Sequence, residues 1–176
     1  MHYTLTLERE GQRPTGEGAS RKDLAMPEIR DEFRIEVPAD RVWSVAIEAN
    51  RIPEWQTNVV VVKNVTGRLD EVGSRYSSVN RVAGRTIEGV WEVTKAEPNR
   101  LLEVSGTAPG GGRVVSSIKL TADAGATDVS VQFEYELPAS FLGHFANRLF
   151  VERALWRGIR HSSENFKALC EETETA

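Results

Sequence analysis

The feature that most constrains this chain is a series of segments between residues 59 and 137 in which apolar and polar side chains alternate. Side chains two residues apart lie on the same face of a β-strand, so the alternation predicts strands with one apolar face. In "DVSVQFEYEL" the apolar positions are Val129, Val131, Phe133, Tyr135 and Leu137. The other segments that predict strands are "VVVVKNV", "SRYSSVNRV", "TIEGVWEVTKAE", "RLLEVSG" and "VVSSIKLTA".

Short turn sequences separate these strands. They lie at residues 67–73, 83–84, 98–99, 109–112 and 123–126 and are rich in Gly, Pro, Asn and Asp. These residue types adopt the backbone angles that tight turns require. Because short connections join antiparallel neighbours, the six strands are predicted to form an antiparallel meander.

Upstream of the meander, the pattern predicts one more strand and two short helices. "IRDEFRIEV" alternates as a strand and is followed by Pro38. In "ADRVWSVAIEAN" the apolar residues recur at helical spacing, and Asp40 is favourably placed in the first turn. "RIPEW", which contains Pro53, predicts a second short helical turn.

A long helix is predicted at the C-terminal end, from Leu142 to Cys170. Steps of three and four residues along it select one stripe: Phe145, Leu149, Glu152, Trp156, Ile159, Ser163 and Phe166. One helix has to cover the apolar face of about seven strands, which requires the sheet to curl around it. The predicted class is therefore α+β. Such a sheet tends to leave an interior space that side chains do not fill, and this space is a candidate ligand site.

The chain of 176 residues, 40% of them hydrophobic and 27% charged, has the composition of one globular domain. We predict an N-terminal extension at residues 1–28, the domain at 29–172 and a short tail at 173–176. The extension contains the Gly- and Pro-rich linker "GQRPTGEGASRKD". Ahead of the linker, Tyr3, Leu5 and Leu7 alternate with polar residues. This stretch either pairs with a sheet edge or precedes the true start of the protein at Met26.

Charge and composition argue against several classes of function. A net charge of -4 disfavours nucleic acid, whose binding needs a local excess of Lys and Arg. Four arginines between Arg148 and Arg160 mostly fall off the apolar stripe and are interpreted as a solvated helix face. No apolar run approaches the ~20 residues that span a bilayer, and no signal-peptide core is present. We therefore expect no stable membrane insertion and a cytoplasmic location, and the single cysteine, Cys170, excludes an internal disulfide.

Five stretches occur together in one order: "VPADRVWSVAIEANRIPEW", "VGSRYSSV", "VTKAEPNRLLEVSG", "GATDVSVQFEYELP" and "ENFKALCEE". In this order and spacing they resemble the START-like (SRPBCC) superfamily, in its polyketide cyclase/dehydrase branch, from Ile29 to Glu172. The resemblance implies a helix-grip fold, in which the sheet grips the C-terminal helix around a deep, mostly apolar cavity. Members bind lipids, sterols, polyketides, quinones or plant hormones, and some catalyse cyclisation, so the fold alone does not name a chemistry.

Glu152 interrupts the apolar stripe of the C-terminal helix, and a buried carboxylate is costly unless it has a partner. In the fold that the resemblance implies, Glu152 points toward the cavity. There it could orient a hydroxylated ligand or act as a general acid or base. Alternatively, it forms a structural ion pair with Arg148, Arg75 or Arg81.

The other predicted ligand-binding residues come from the strands and from the helix stripe. Strand parity and the start of the helix place polar candidates near the cavity, namely Tyr76, Asn80, Arg81, Ser116, Tyr135 and His144. Tyr135 is equally interpretable as a core aromatic residue. The predicted apolar contacts are Trp55, Trp91, Phe145, Leu149 and Trp156. Trp55 and Trp91 either fill the cavity or line its mouth.

Other chemistries find little support in the sequence. His2, His144 and His161 lack the spacing and the nearby cysteines of a zinc site, so no metal and no cofactor are predicted. "APGGGR" precedes a strand rather than a helix, which indicates a hairpin turn and not a phosphate-binding loop. The Gly-x-Ser-x-Gly motif of many hydrolases is absent.

Three classes of function follow from these observations. The first is a carrier or sensor that binds a small apolar molecule such as a lipid or a polyketide. The second is an enzyme of the cyclase, aromatase or dehydratase type, in which Glu152, Tyr76 or Arg81 moves protons. The third is a protein-protein interaction module. A cavity with one polar anchor favours the first class, a cavity with a convergent acid-base pair the second, and a filled interior the third.

Overall fold

The computed structural model describes residues 28–82, 85–108, 112–136 and 148–172, and at residues 82, 85, 108 and 148–152 it describes the backbone alone. Its strands are β1 (Glu28–Ile35), β2 (Val59–Thr66), β3 (Arg75–Val82), β4 (Arg85–Glu97), β5 (Leu101–Ala108), β6 (Gly112–Asp123) and β7 (Ala126–Glu136). Its helices are α1 (Ala39–Ala46), α2 (Ile52–Trp55) and α3 (Arg148–Glu171), with a 3-10 turn at Ala49–Arg51 ahead of α2.

The seven strands form one antiparallel sheet in the order β1-β7-β6-β5-β4-β3-β2. Strands β2 to β7 are neighbours in chain order, so the predicted meander is confirmed, and β1 closes the sheet by pairing with β7. At the β6–β7 turn, Ala124 and Gly125 both have positive φ, 49° and 91°. The two central residues of a type I′ hairpin turn require such angles.

The two short helices connect β1 to β2 and close one end of the fold. Pro38 precedes α1, whose buried face consists of Val42, Trp43, Val45 and Ala46. Helix α2 contains Pro53 in its first turn and buries Ile52 and Trp55. Both helices pack against α3.

The two ends of the described part of α3 have different surroundings. Near its C-terminal end, Phe166, Leu169 and Cys170 are buried in the main hydrophobic core together with Ile35 and Val42. Lys167 Nζ donates a hydrogen bond of 2.7 Å to the carbonyl oxygen of Arg34, which joins this end of the helix to β1. The preceding turns of α3 line a cavity instead of packing directly on the sheet.

This architecture confirms the predicted α+β class and the helix-grip fold: a seven-stranded antiparallel sheet, two short helices after the first strand and a long C-terminal helix. Several predictions lie outside the described residues. These are the possible strand at Tyr3–Leu7, the first turns of the C-terminal helix from Leu142, and the tail at 173–176. No helix in the described part of the chain is long and apolar enough to cross a membrane.

Candidate ligand-binding cavity

A cavity of about 380 Å³ lies between the apolar face of the sheet and helix α3. Strands β3 to β7, helix α3 and the segment from Trp55 to Val59 contribute its lining residues. Pockets that bind small molecules in proteins usually measure about 300–1,000 Å³, so the space suffices for a small ligand.

The sheet side of the cavity consists of every second residue along several strands. The lining residues are Tyr76, Ser78 and Asn80 on β3, Ile87, Gly89 and Trp91 on β4, and Val131, Phe133 and Tyr135 on β7. This spacing of two confirms the predicted alternation, because the intervening residues face the other side of the sheet. Between Phe133 and Tyr135 the ring centroids are 6.1 Å apart.

Trp91 lies flat against the sheet and forms part of the cavity wall. It is paired with Gly106 on the neighbouring strand. A Cβ atom added to Gly106 would lie 2.5 Å from a ring carbon of Trp91, so only glycine leaves room for the indole. On its other side in the sheet, Trp91 stacks on Tyr76 with ring centroids 6.2 Å apart and an interplanar angle of 13°.

A small polar network holds Trp91 in this position. Ser78 Oγ accepts hydrogen bonds of 2.8 Å from Trp91 Nε1 and of 2.8 Å from Asn80 Nδ2. Asn80 Nδ2 also lies 3.4 Å from the carbonyl oxygen of Ile87. The network satisfies the polar hydrogens of the indole and the amide inside an otherwise apolar wall, as buried polar groups require.

Tyr76 contributes a neutral hydroxyl to the same wall. Its side chain is buried, with a relative exposure of 5%. Burial raises the pKa of the Tyr76 hydroxyl, because an apolar surrounding disfavours the phenolate. Among the described residues the hydroxyl has no hydrogen-bond partner, so it is available to donate a hydrogen bond to a bound molecule.

Helix α3 forms the opposite wall with Leu155, Gly158, Ile159, Ser163 and Phe166. The Phe166 ring contacts the indole of Trp55, with centroids 4.9 Å apart. This contact connects the helix to α2 at one end of the cavity.

Hydrogen bonds also join α3 to the loop that follows α2. Ser162 Oγ donates to the carbonyl oxygen of Gly158 at 2.8 Å and accepts a bond of 3.1 Å from the backbone N–H of Thr57. The hydroxyl of Ser162 is thus fully used in holding the loop against the helix.

Two buried polar atoms in the cavity wall have no hydrogen-bond partner among the described residues: Trp55 Nε1 and Ser163 Oγ. Both residues line the cavity, and their relative exposures are 7% and 5%. Native structures rarely leave such atoms unpaired, because each unmet hydrogen bond costs about 1–3 kcal/mol.

Charged groups are restricted to the rim of the cavity. Among the described lining residues the charged ones are Arg81 and Glu136, and both are exposed. Arg81 has no ion-pair partner in the described part of the chain. The same residues contain no cluster of His, Cys, Asp or Glu that could hold a metal ion.

Most of the predicted site residues whose side chains are described do line the cavity. These are Trp55, Tyr76, Asn80, Arg81, Trp91, Ser116 and Tyr135. Their contact with a ligand stays a prediction. Phe145 and His144 lie outside the described residues, and Leu149 and Glu152 fall within α3 at positions where the side chain is not described.

Trp156 is not where the helix stripe placed it. Its side chain is 50% exposed and does not line the cavity, whereas its neighbour Leu155 does. Successive residues of an α-helix are rotated by about 100°, so choosing a step of four instead of three after Glu152 selects the wrong side of the helix. Arg75, one proposed partner of Glu152, pairs instead with Glu92 at 2.8 Å.

Sequence reasoning missed the roles of Ser78 and Ser163. Ser78 shares the strand parity of Tyr76 and Asn80, which is a signal that could have found it. Ser163 stood in the predicted helix stripe, but nothing in the sequence distinguishes it from Ser162, whose hydroxyl is occupied.

Comparisons with solved structures agree with this fold. TTHA0849 from Thermus thermophilus is similar with a TM-score of 0.66 and 20% identity, over 82% of this chain and 97% of that chain. The Zhui aromatase/cyclase from Streptomyces sp. R1128 is similar with a TM-score of 0.69 and 16% identity, over 83% and 94%. A START superfamily protein from Mycobacterium smegmatis has a TM-score of 0.64 and 12% identity, over 82% and 97%. At these identities the likeness shows the fold alone.

Fold and cavity together define a helix-grip protein of the START-like superfamily. The family described as "Polyketide cyclase / dehydrase and lipid transport" matches residues 26–171, and the chain belongs to this family. No curated protein matches the chain by sequence.

Proposed function

We propose that this protein binds a small, mainly apolar molecule in the cavity between the sheet and α3, and that it acts as a carrier or sensor of that molecule. The observation that carries the proposal is the cavity of about 380 Å³ with its largely apolar wall and its charged groups confined to the rim. Removing apolar ligand surface from water contributes about 25 cal/mol per Å², which is sufficient for binding without a charged anchor.

The interior polar groups then supply selectivity. Tyr76 offers a hydroxyl without a partner in the described residues, while Ser78 and Asn80 hold the Trp91 wall. A few oriented polar groups in an apolar pocket are the usual basis of selectivity for small molecules. We include Glu152 in the proposal as an acceptor for a ligand hydroxyl, because it precedes the cavity-lining Leu155 by three residues in α3.

A second candidate function is catalysis of the cyclase or dehydratase type. The observation in its favour is that a neutral phenol, Tyr76, and a cation without an ion pair in the described part of the chain, Arg81, line the same cavity. A phenol that stays protonated can donate a hydrogen bond to a developing enolate, and a guanidinium can stabilise its charge. Incubation with a poly-β-ketone that cyclises spontaneously tests this function: an enzyme changes the product distribution, and Tyr76→Phe and Arg81→Gln abolish the change.

The remaining predictions on partners and location are unchanged by these results. We retain a small apolar ligand as the partner, with no nucleic acid, no stable membrane insertion and a cytoplasmic location. The protein-protein interaction module is disfavoured, because it required a filled interior and the interior contains a cavity.

Titration with N-phenyl-1-naphthylamine, an uncharged apolar dye that fluoresces in apolar surroundings, tests the proposed binding. Val114 lines the cavity, whereas its neighbour Val115 on β6 does not. Val114→Trp fills part of the space, and Val115→Trp places the same side chain on the other face of the sheet. We expect the dye to bind the wild type and Val115→Trp, and to bind Val114→Trp at least ~10-fold more weakly.

Equal binding to all three proteins, or no binding to the wild type, would contradict the proposal. Thermal unfolding of the two variants verifies that both are folded. Native mass spectrometry of freshly purified protein then identifies any apolar molecule that co-purifies, and Val114→Trp should retain less of it than Val115→Trp.

A further inference from the structure

The two orphaned polar atoms of the cavity wall have a feature in common: both can donate a hydrogen bond. Trp55 Nε1 is a donor only, and Ser163 Oγ is both donor and acceptor. A buried indole N–H normally has a partner, and a serine within a helix normally bonds to the carbonyl oxygen four residues earlier. Ser162 makes that bond to Gly158, whereas Ser163 does not.

The two atoms belong to one region of the cavity. Trp55 contacts Phe166 with ring centroids 4.9 Å apart, and Ser163 precedes Phe166 by three residues, one turn along α3. Trp55, Phe166 and Tyr76 are members of the same buried cluster. The hydroxyl of Tyr76, which also has no hydrogen-bond partner in the described residues, therefore adds a third potential donor to this region.

These donors contrast with the polar groups on the rest of the sheet wall. Ser78, Asn80 and Trp91 satisfy one another, with two bonds of 2.8 Å to Ser78 Oγ. Ser162 and Thr57 likewise bond to each other and to the backbone of α3. Unmet hydrogen bonds are thus concentrated where Trp55, Tyr76 and Ser163 meet the cavity.

We infer that Trp55, Tyr76 and Ser163 form a subsite for an uncharged oxygen acceptor of the ligand, such as a ketone or ester carbonyl. The inference rests on the proposed binding function and extends it to the chemical class of the ligand. A carbonyl oxygen has two lone pairs and no hydrogen to donate, so it matches a group of donors. A carboxylate fits less well, because the cation among the described lining residues, Arg81, is exposed and a buried charge without a partner is costly.

Two probes of similar shape test the subsite: 2-acetylnaphthalene, which has a carbonyl group, and 2-ethylnaphthalene, which does not. Their affinities are measured by displacement of N-phenyl-1-naphthylamine from the wild type, Ser163→Ala and Ser162→Ala. We expect Ser163→Ala to weaken binding of the ketone relative to the hydrocarbon by about 2- to 10-fold, the effect of one lost hydrogen bond. Tyr76→Phe should shift the same ratio in the same direction.

Ser162→Ala is the matched control, because its hydroxyl is occupied by Gly158 and Thr57. It should lower the melting temperature and leave the ratio of the two affinities unchanged. Ser163→Ala, which removes an unpaired buried oxygen, should preserve or raise the melting temperature.

The outcomes separate the subsite from the binding function on which it rests. If both probes bind the wild type and the ratio is the same in Ser163→Ala and Tyr76→Phe, the subsite is refuted and the binding function stands. Weaker binding of both probes by the same factor would assign these residues to packing and also refute the subsite. If neither probe displaces the dye and the dye itself does not bind, the proposed function fails together with the subsite.

Discussion

Ser78 Oγ accepts a hydrogen bond of 2.8 Å from the indole N–H of Trp91, and this bond fixes a tryptophan as a wall of the cavity. The other half of the arrangement is Gly106, which leaves the room that the flat ring needs. Trp91 therefore does not fill the interior. The size of the cavity depends on a serine and a glycine on the two strands beside it.

Removing the hydroxyl of Ser78 should destabilise the fold. Ser78→Ala leaves the N–H of Trp91 and one amide hydrogen of Asn80 without their 2.8 Å partner. We expect a loss of about 1–3 kcal/mol in the free energy of unfolding, measured by chemical denaturation. Ser77→Ala on the same strand is the control, since its hydroxyl accepts only a long bond of 3.4 Å from exposed Asn64. A similar loss in both variants would show that the network contributes nothing specific.

Adding a methyl group at Gly106 should displace Trp91. The new Cβ would lie 2.5 Å from the indole ring, and we expect Gly106→Ala to cost about 1–3 kcal/mol of stability and to reduce binding of N-phenyl-1-naphthylamine. Gly158→Ala in α3 is the matched control, because its Cβ would approach no side-chain atom closer than 4.0 Å. That change should stabilise the helix by up to about 1 kcal/mol. If Gly106→Ala were as stable as the wild type, the indole would not be confined as described.

A large part of this fold is predictable from the sequence for a simple reason. Alternation with a period of two reports directly which residues of a strand are buried, and turn residues such as Gly125 report where a hairpin ends. Together they predict the meander, its single apolar face and the need for one helix to cover it. These properties depend on neighbouring residues along the chain.

The site is less predictable, because it depends on contacts between strands. Ser78 reads as an ordinary polar strand residue until the register places it opposite Gly89, two residues from Trp91. The direction of a helix side chain is similarly ambiguous, and the structure selects Leu155 where the apolar stripe selected Trp156. Steps of three and four residues are both compatible with one helix face, so only packing against the sheet decides between them.

Glu152→Gln tests the proposed hydroxyl acceptor on α3. The substitution keeps the shape of the side chain and removes its charge. We expect binding of 2-(2-naphthyl)ethanol, whose hydroxyl can donate to a carboxylate, to weaken by about 3- to 10-fold relative to 2-ethylnaphthalene, with stability unchanged or slightly improved. Thermal unfolding and dye displacement measure the two effects. Lower stability with unaltered affinity would instead indicate a structural ion pair, and the anchoring role would pass to Tyr76, Arg81 and Tyr135.

Cys170 should make the stability depend on pH in the alkaline range. Burial raises the pKa of its thiol to about 12, whereas an unfolded chain releases this proton at about 8.5. Above that pH the unfolded state binds fewer protons, so stability falls as pH rises, by at most about 1.4 kcal/mol per pH unit. We expect the free energy of unfolding between about pH 8 and 10 to decline more steeply for the wild type than for Cys170→Ala. Parallel curves would show that the thiol does not titrate differently in the two states.

The central claim, that an apolar molecule binds inside the cavity, is tested most directly by methyl NMR spectroscopy during titration with N-phenyl-1-naphthylamine. The account predicts shifts of the methyl signals of cavity-lining residues, namely Val114, Ile118, Val131 and Ile159. It predicts no comparable shifts for four valines that are exposed on the surface, namely Val60, Val65, Val72 and Val90. Shifts restricted to the surface valines, or unchanged cavity signals at saturating dye, would contradict the account.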